Sequence, residues 1–504
     1  MPRFPSPRRV DNLRRWLVVT FALVPLLAAP ARAAESAPAR PNVVFILCDD
    51  LGYADLGCFG ATDIRTPNID RLAHEGTKFT SFYVGQAVCT ASRAALMTGS
   101  YPNRVSMSGA LNHTSTTGLN PREKTLAQVF KEQGYATAMF GKWHLGHHPQ
   151  FLPTRRGFDE WLGIPYSNDN GPLHPVTKGI PSLPLYENEE VVEVDPDQSQ
   201  FTARFTARAI SFLERNRDRP FFLYLPHVMP HVPIFASAKF KGRSSRGLYG
   251  DVVEELDDAI GTLLTKLRDT GLEQNTIVLF FTDNGAWMSY GEHAGSNRPF
   301  REGKLTCFEG GIRSPLIVRW PGQVPADRTC GTPFMSIDFL PTFVEAVGGK
   351  APTLKIDGRS ALPLLRGTDE AATHEALFYY AGEELHAVRS GKWKLHFAHP
   401  YLTNLGNPGK GGKPSAYGEY APLPITDSSM NAIASRHGQK VAAQPLALYD
   451  LTTDPGETRD LSAEHPDLVA RLSALASPVR QALGDKLTGT PGTERRPAGF
   501  VPVK

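Results

Sequence analysis

Residues 42–50 read NVVFILCDD, an unbroken apolar run from Val43 to Cys48 that ends in two aspartates. A run with no polar alternation is what a strand buried on both faces requires, and such strands belong to parallel sheets covered by helices on either side. The same grammar returns at 276–284, TIVLFFTDN. Further strands are predicted at 135–140, 220–225 and 315–320, and helices at 67–75, 123–132, 201–216, 248–270 and 337–347. Thr66 suits the N-cap of the first helix and Pro67 its first position. This alternation of strand and helix predicts an α/β fold with a large, mostly parallel sheet flanked by helices.

The segment 164–198 is rich in Pro, Gly, Asn and Asp and reads as a long surface loop over the carboxyl edge of that sheet. After about residue 370 the pattern changes. Residues 387–396 read as an antiparallel strand or hairpin, 401–444 are rich in Gly, Pro and Ser, and a last helix fits 465–482. The expected organisation is a catalytic domain at 35–370, a smaller C-terminal subdomain with a short antiparallel sheet at 371–486, and an irregular tail at 487–504.

Arg8, Arg9, Arg14 and Arg15 precede an apolar stretch at 16–30, followed by the small-residue pattern ARAA at 31–34. This is the order of a secretory signal peptide, residues 1–34. The stretch is too short and too interrupted by proline for a membrane span. The mature chain is therefore expected in the periplasm or outside the cell, with no stable membrane insertion. A net charge of +3 over 504 residues gives no electrostatic footing for nucleic acid. Five cysteines, an odd number, leave at least one unpaired or chemically special in an exported protein.

Chemistry concentrates where apolar strands stop. Asp49-Asp50 follows one strand and Asp283-Asn284 another, and ligands in open α/β sheets collect beyond the carboxyl ends of strands. Adjacent carboxylates repel unless a cation lies between them. Oxygen-only ligands point to calcium or magnesium rather than zinc. Cys89 precedes the helical stretch 92–97, at a helix N-terminus that favours a developing anion.

Residues 89–99, CTASRAALMTG, resemble the signature of the type I sulfatases, whose core is Cys-x-Pro/Ala-x-Arg; Ala91 stands where proline is commoner. Asp49 to Tyr53, Thr66 to Asp70, Gly141 to Gly146, Phe281 to Gly285 and Glu309 to Arg313 are similar to further motifs of that family. The resemblance runs from about Pro41 to Leu461, and residues 163–172 and 391–397 bring it nearest the arylsulfatase A and galactosamine-6-sulfatase branch. It implies an alkaline-phosphatase-like fold and a sulfate monoester of a sugar or aryl alcohol as substrate. It also implies that a formylglycine-generating enzyme oxidises Cys89 to formylglycine. The hydrated aldehyde would attack sulfur, hold a sulfate ester, and expel sulfate through its second hydroxyl.

Site roles follow from the same resemblance. Asp49, Asp50, Asp283 and Asn284 would hold calcium, or magnesium, with Cys89 touching the ion. Arg93 would hold the diol, and Lys142 and Lys304 would clamp sulfate oxygens. His144 would take the proton from the diol, and His231, chosen over His227, would protonate the leaving oxygen. Ser167 and His399 would touch substrate, with His396 a further candidate. A phosphonate or phosphate ester hydrolase could use the same chemistry, but the arylsulfatase-like loop and C-terminal segments favour sulfate. A non-catalytic carbohydrate-binding relative would have lost a metal or lysine position, and none is lost.

Overall fold

The structure, a computed structural model, describes residues 1–7, 40–419 and 421–501. The expected signal peptide lies almost wholly outside the described residues. Residues 1–39 are a unit apart from 40–504, and of that unit residues 1–7 carry neither helix nor strand.

Among the described residues of the main unit, eleven strands form one sheet. Its centre is parallel. Asn42–Cys48 lies between Thr276–Thr282 and Phe221–Pro226, and Ala136–Phe140 and Glu160–Gly163 continue beyond the latter. Val43, Phe45 and Leu47 enter one apolar core, while Val44, Ile46 and Cys48 enter another on the opposite face. That explains the unbroken apolar run, since both faces are covered. Each buried Val, Leu, Ile or Phe contributes roughly 1.5–3 kcal/mol.

One predicted strand runs against the parallel direction. Arg313–Arg319 is antiparallel to both Thr276–Thr282 and Thr77–Tyr83. Its amino end therefore lies at the same edge as the carboxyl ends of the parallel strands. Residues preceding it are delivered to that edge as well.

Other boundaries moved for local reasons. The second predicted helix begins at Leu126, because Thr125 and Gln128 form a capping box there. Thr66 precedes the helix Pro67–His74 but makes no capping bond; its hydroxyl donates to Asp70 instead. The stretch read as a loop at 164–198 holds a hairpin, Pro184–Glu187 with Glu190–Val194, that extends the main sheet through Glu160–Gly163.

The C-terminal part carries a four-stranded antiparallel sheet built from Leu377–Ala381, Glu384–Ser390, Trp393–His396 and Ala447–Asp450. A second hairpin pairs His399–Asn404 with Gln439–Gln444, and the helix Pro466–Leu483 packs on the four-stranded sheet. The tail is tied back: Gly499–Phe500 pairs with Thr117–Gly118, and Arg496 bonds both oxygens of Glu123 at 2.7 and 2.8 Å. A buried charge network joins the two sheets. Lys394 lies 2.9 Å from Glu309 and 2.8 Å from Glu457, with all three side chains fully buried.

Candidate active site

The carboxyl edge of the parallel strands gathers the predicted residues. Asp49 and Asp50 follow Asn42–Cys48, and Asp283 and Asn284 follow Thr276–Thr282. Lys142 and His144 follow Ala136–Phe140, Ser167 follows Glu160–Gly163, and His227 and His231 follow Phe221–Pro226. Lys304 arrives ahead of the antiparallel strand, as its direction requires.

Cys89 opens the helix Cys89–Thr98, in which every side chain is buried. Val88 before it supplies no capping side chain; the Ala91 amide donates to the Gly109 carbonyl at 3.2 Å, and the amides of Cys89 and Thr90 remain available to an anion. Arg93 lies one turn on, along the same helix face as Cys89. Its Nε donates to Asp283 Oδ2 at 3.0 Å and its Nη1 to the carbonyl of Lys142 at 2.6 Å, while Nη2 lies 2.9 Å from the same carboxylate oxygen as an ion pair.

Around Cys89 the charges interleave. Its Sγ lies 3.4 Å from Asp49 Oδ1 and 3.5 Å from Lys304 Nζ. Lys142 Nζ lies 2.5 Å from Asp49 Oδ2 and 3.1 Å from Ser167 Oγ. Burial opposes ionisation of Asp49, but Lys142, His231 and Arg93 hold its carboxyl well below the usual range. Burial and the neighbouring Asp49 push Asp283 up, against the pull of Arg93. Burial together with Asp49 pushes the Cys89 thiol up, so a thiolate is disfavoured there.

Asp49, Asp50, Cys89 and His231 each bring a ligand atom to within 4.8 Å of the others. Asn284 donates to Asp50 at 2.7 Å through its amide nitrogen, while its amide oxygen is buried without a hydrogen-bond partner. An orphaned oxygen beside buried carboxylates suits a hard cation. The predicted ligand set is brought together with one difference: Asp283 turns its Oδ2 to Arg93 and accepts the Asp50 amide on Oδ1 at 3.3 Å, while His231 joins the cluster. Asp50 and His144 both take a φ of 63°, rare without glycine and found where surrounding structure enforces it.

The two predicted proton-transfer histidines are held in opposite tautomers. His144 Nε2 donates to the carbonyl of Leu111 at 2.7 Å, so its Nδ1 is the unprotonated nitrogen, buried and unpartnered. Burial and Lys142 keep it well below the usual histidine range. His231 Nδ1 donates to the Val232 carbonyl at 2.6 Å, leaving Nε2 to accept from Ser167 Oγ at 3.2 Å. A hydrogen-bonded chain thus runs from Lys142 through Ser167 to His231.

A cavity of about 440 Å³ opens above these groups, with Cys89, His144, Ser167, His231 and Lys304 in its lining. Neither His227 nor His399 lines it. His227 is fully buried and neither ring nitrogen has a partner. His399 stacks on His386 at 3.8 Å and donates to the Phe397 carbonyl at 2.7 Å, within a cluster that includes His396. Among the cavity residues that the sequence did not single out are Asp169 and His174. Both lie in the stretch read as a loop, and Asp169 also within the arylsulfatase-like residues 163–172.

The chain matches the family model described as "Sulfatase" over residues 41–349 and the "C-terminal region of aryl-sulfatase" over residues 372–491. It is 39% identical to human arylsulfatase A over 458 residues, 86% of each chain. It is 35% identical to dog N-acetylgalactosamine-6-sulfatase over 484 residues, 92% of this chain and 90% of the relative. The crystal structure of Ps i-CgsB in complex with k-i-k-neocarrahexaose is similar, with a TM-score of 0.69 at 27% identity, covering 87% of this chain and 92% of the other.

Proposed function

The chain is a member of the sulfatase family, an alkaline-phosphatase-like sulfuric ester hydrolase, and we propose that it cleaves a sugar or aryl sulfate monoester through a formylglycine made from Cys89. The observation that carries this reading is the setting of Cys89 on the cavity floor, between the Asp49 carboxylate and the Lys304 ammonium. Formylglycine there supplies an oxygen nucleophile for sulfur and its own route for releasing sulfate. Asp49, Asp50, Asp283 and Asn284, with the modified residue, would hold a divalent cation, which would supply charge against the anionic sulfate. Calcium fits the carboxylate and amide oxygens, and magnesium is the alternative.

The chain's own residues divide the remaining work. Arg93 fixes Asp283 and neutralises the buried acids. Lys304 faces the cavity beside Cys89, and Lys142, held behind Asp49 and Ser167, adds a second buried positive charge where charge grows on sulfate oxygens in the transition state. His144 offers an unprotonated Nδ1 to take a proton from the nucleophile. His231 serves as the acid: its Nε2, an acceptor from Ser167 at rest, takes up a solvent proton when the anionic ester enters, Ser167 Oγ then accepting from it, and passes that proton to the leaving oxygen. The arrangement excludes bulk water, so these charges act in a low-dielectric site. The two family-model matches at 41–349 and 372–491 support a catalytic domain at 35–370 and a subdomain at 371–486. A signal peptide at 1–34 would place the chain in the periplasm or outside the cell, and its maturation would depend on a formylglycine-generating enzyme.

Peptide mass across Cys89, measured beside turnover of 4-nitrophenyl sulfate and 4-nitrophenyl phosphonate, tests the reading. The expected result is an aldehyde in place of the thiol, with sulfate the preferred ester. Full activity from protein carrying only unmodified cysteine would refute the nucleophile. Faster cleavage of the phosphonate would refute the substrate class.

A further inference from the structure

The sulfate-binding groups occupy only the floor of the cavity. On its wall, Asp169 is 8% exposed and accepts a single side-chain hydrogen bond, from Asn170 Nδ2 to its Oδ1 at 3.0 Å. Asn170 is itself anchored, since its Oδ1 accepts the His113 backbone amide at 3.2 Å. The second oxygen of Asp169 has no protein partner among the described residues. It belongs to a nearly buried carboxylate in the lining of the same cavity as Cys89.

His174 stands close to it. Its Nδ1 accepts the backbone amides of Val176 at 3.0 Å and Thr177 at 2.8 Å. The ring proton is therefore on Nε2, which makes no protein hydrogen bond. His174 is 2% exposed and also lines the cavity. Asp169 and His174 together present an unpaired acceptor and an unpaired donor. Leaving them so costs free energy unless a ligand or water satisfies them.

The other cations of the cavity wall are already engaged. Arg436 donates to the carbonyls of Pro424 at 2.6 Å and Asp427 at 2.9 Å, and Lys486 is paired with Glu383 at 2.6 Å. Lys486 is thereby neutralised, whereas Arg436, bonded to neutral carbonyls, keeps its charge; among the described lining residues Asp169 is the carboxylate with no ion pair. Trp287, Leu305, Leu402 and Ile433 supply apolar surface around it. Apolar walls with a few convergent polar groups recognise a ring with one greasy face and one hydroxylated edge.

Resting on the sulfatase reading, we propose that Asp169 and His174 form a hydroxyl-reading subsite, which selects a neutral sugar ring carrying a single sulfate. Asp169 accepts from a ring hydroxyl and His174 Nε2 donates to the same or the adjacent oxygen. A second sulfate or a carboxylate on the ring meets the Asp169 carboxylate and is rejected by like charge. A plain aryl sulfate reaches Cys89 but leaves both groups unpaired.

The experiment compares kcat/KM for 4-nitrophenyl sulfate, for the 6-sulfates of glucose, galactose and N-acetylgalactosamine, and for a disulfated hexose. Wild type is measured beside Asp169→Asn, Asp169→Ala and His174→Gln. The expected result is a ~10–100-fold fall in the ratio of the best hexose sulfate to the aryl sulfate in Asp169→Ala, the size of a lost hydrogen bond to a charged group. Asp169→Asn, which keeps the shape, lowers that ratio less and raises relative activity on the disulfated sugar. A ratio within threefold of wild type in both Asp169 variants overturns the proposal, as does a wild-type preference for the disulfated sugar. An equal fall on every substrate also overturns it, because Asp169 then serves the reaction or the fold. If the wild type cleaves no sulfate ester at all, the sulfatase reading falls first and the subsite with it.

Discussion

Lys304 Nζ lies 2.8 Å from Asp50 Oδ1 and 2.9 Å from its Oδ2. The ammonium also rests 4.3 Å from the centre of the Trp287 ring. Burial disfavours its charge, but Asp50, Cys89 and Asp49 hold Lys304 above the usual lysine range. Lys304 is therefore a fixed, desolvated cation facing the nucleophile, and no surface lysine.

A cation so placed acts on the charge that develops on sulfate oxygens. Lys304→Met is expected to lower kcat/KM for 4-nitrophenyl sulfate by about 100- to 1,000-fold, as loss of a preorganised transition-state contact does. Lys304→Arg should fail to restore it, because a planar guanidinium does not replace a compact ammonium over an indole face. Steady-state kinetics on both variants decide the matter, and a fall of less than tenfold in Lys304→Met would assign the residue to packing alone.

The second buried lysine is a stability element. Lys394 Nζ is shared by Glu309 at 2.9 Å and Glu457 at 2.8 Å, and it donates to the Cys307 carbonyl at 2.8 Å. Glu309 also bonds Tyr83 at 2.6 Å and Arg313 at 3.1 Å. Removing the ammonium leaves Glu457 with no lysine or arginine in a dry interior and Glu309 with Arg313 alone. Lys394→Met should destabilise the protein by ~3–5 kcal/mol, the cost of breaking a buried pair by one partner. Urea unfolding measures it. The triple change Lys394→Met with Glu309→Gln and Glu457→Gln should recover part of that loss, and no recovery would place the cost elsewhere.

A divalent cation that binds the folded chain alone stabilises it by mass action. Occupancy at about 100 times the dissociation constant adds ~2.7 kcal/mol. Chelation by EDTA is expected to lower the melting temperature and abolish turnover, and added calcium to restore both. Asp50→Asn with Asn284→Ala should make the melting temperature indifferent to calcium. Unchanged calcium sensitivity in that variant would move the ion site away from these residues.

The parallel sheet was legible because its central strands are buried on both faces and carry no polar interruption. The site was legible for a related reason, since acidic, amide and basic residues stop those apolar runs at one edge. What could not be read came from pairings between distant segments. Nothing local in SPLIVR at 314–319 distinguishes a parallel from an antiparallel neighbour; the delivery of Lys304 settles it only once direction is known. The hairpin at 184–194 was hidden because its second strand, EVVEV, is short and mostly exposed and lies within a stretch otherwise rich in Pro, Gly, Asn and Asp. Asp169 lay in the same stretch, and its burial depends on a cavity wall closed by residues more than two hundred positions later. His399 shows the opposite error: a polar residue in a family-like segment whose ring is spent on stacking with His386.

His227 gives a prediction about acid stability. Its ring is fully buried, neither nitrogen has a partner, and burial alone pushes its pKa down to about 4. In the unfolded chain a histidine titrates near 6.5. Between these values the unfolded state binds a proton that the folded state refuses, so folding stability falls as pH drops from about 6.5 to about 4 and the loss levels off below that. The loss amounts to ~3 kcal/mol, since each pKa unit is worth ~1.4 kcal/mol. His227→Leu removes the titrating group and an unsatisfied pair of buried nitrogens at once. The variant should match or exceed wild type at pH 7. Its advantage should then widen by about 3 kcal/mol between pH 7 and pH 4. Urea midpoints at intervals across that range provide the measurement. Parallel curves for the two proteins would mean that His227 takes up its proton in the folded state, and that a partner or water reaches a ring which the packing shows as sealed.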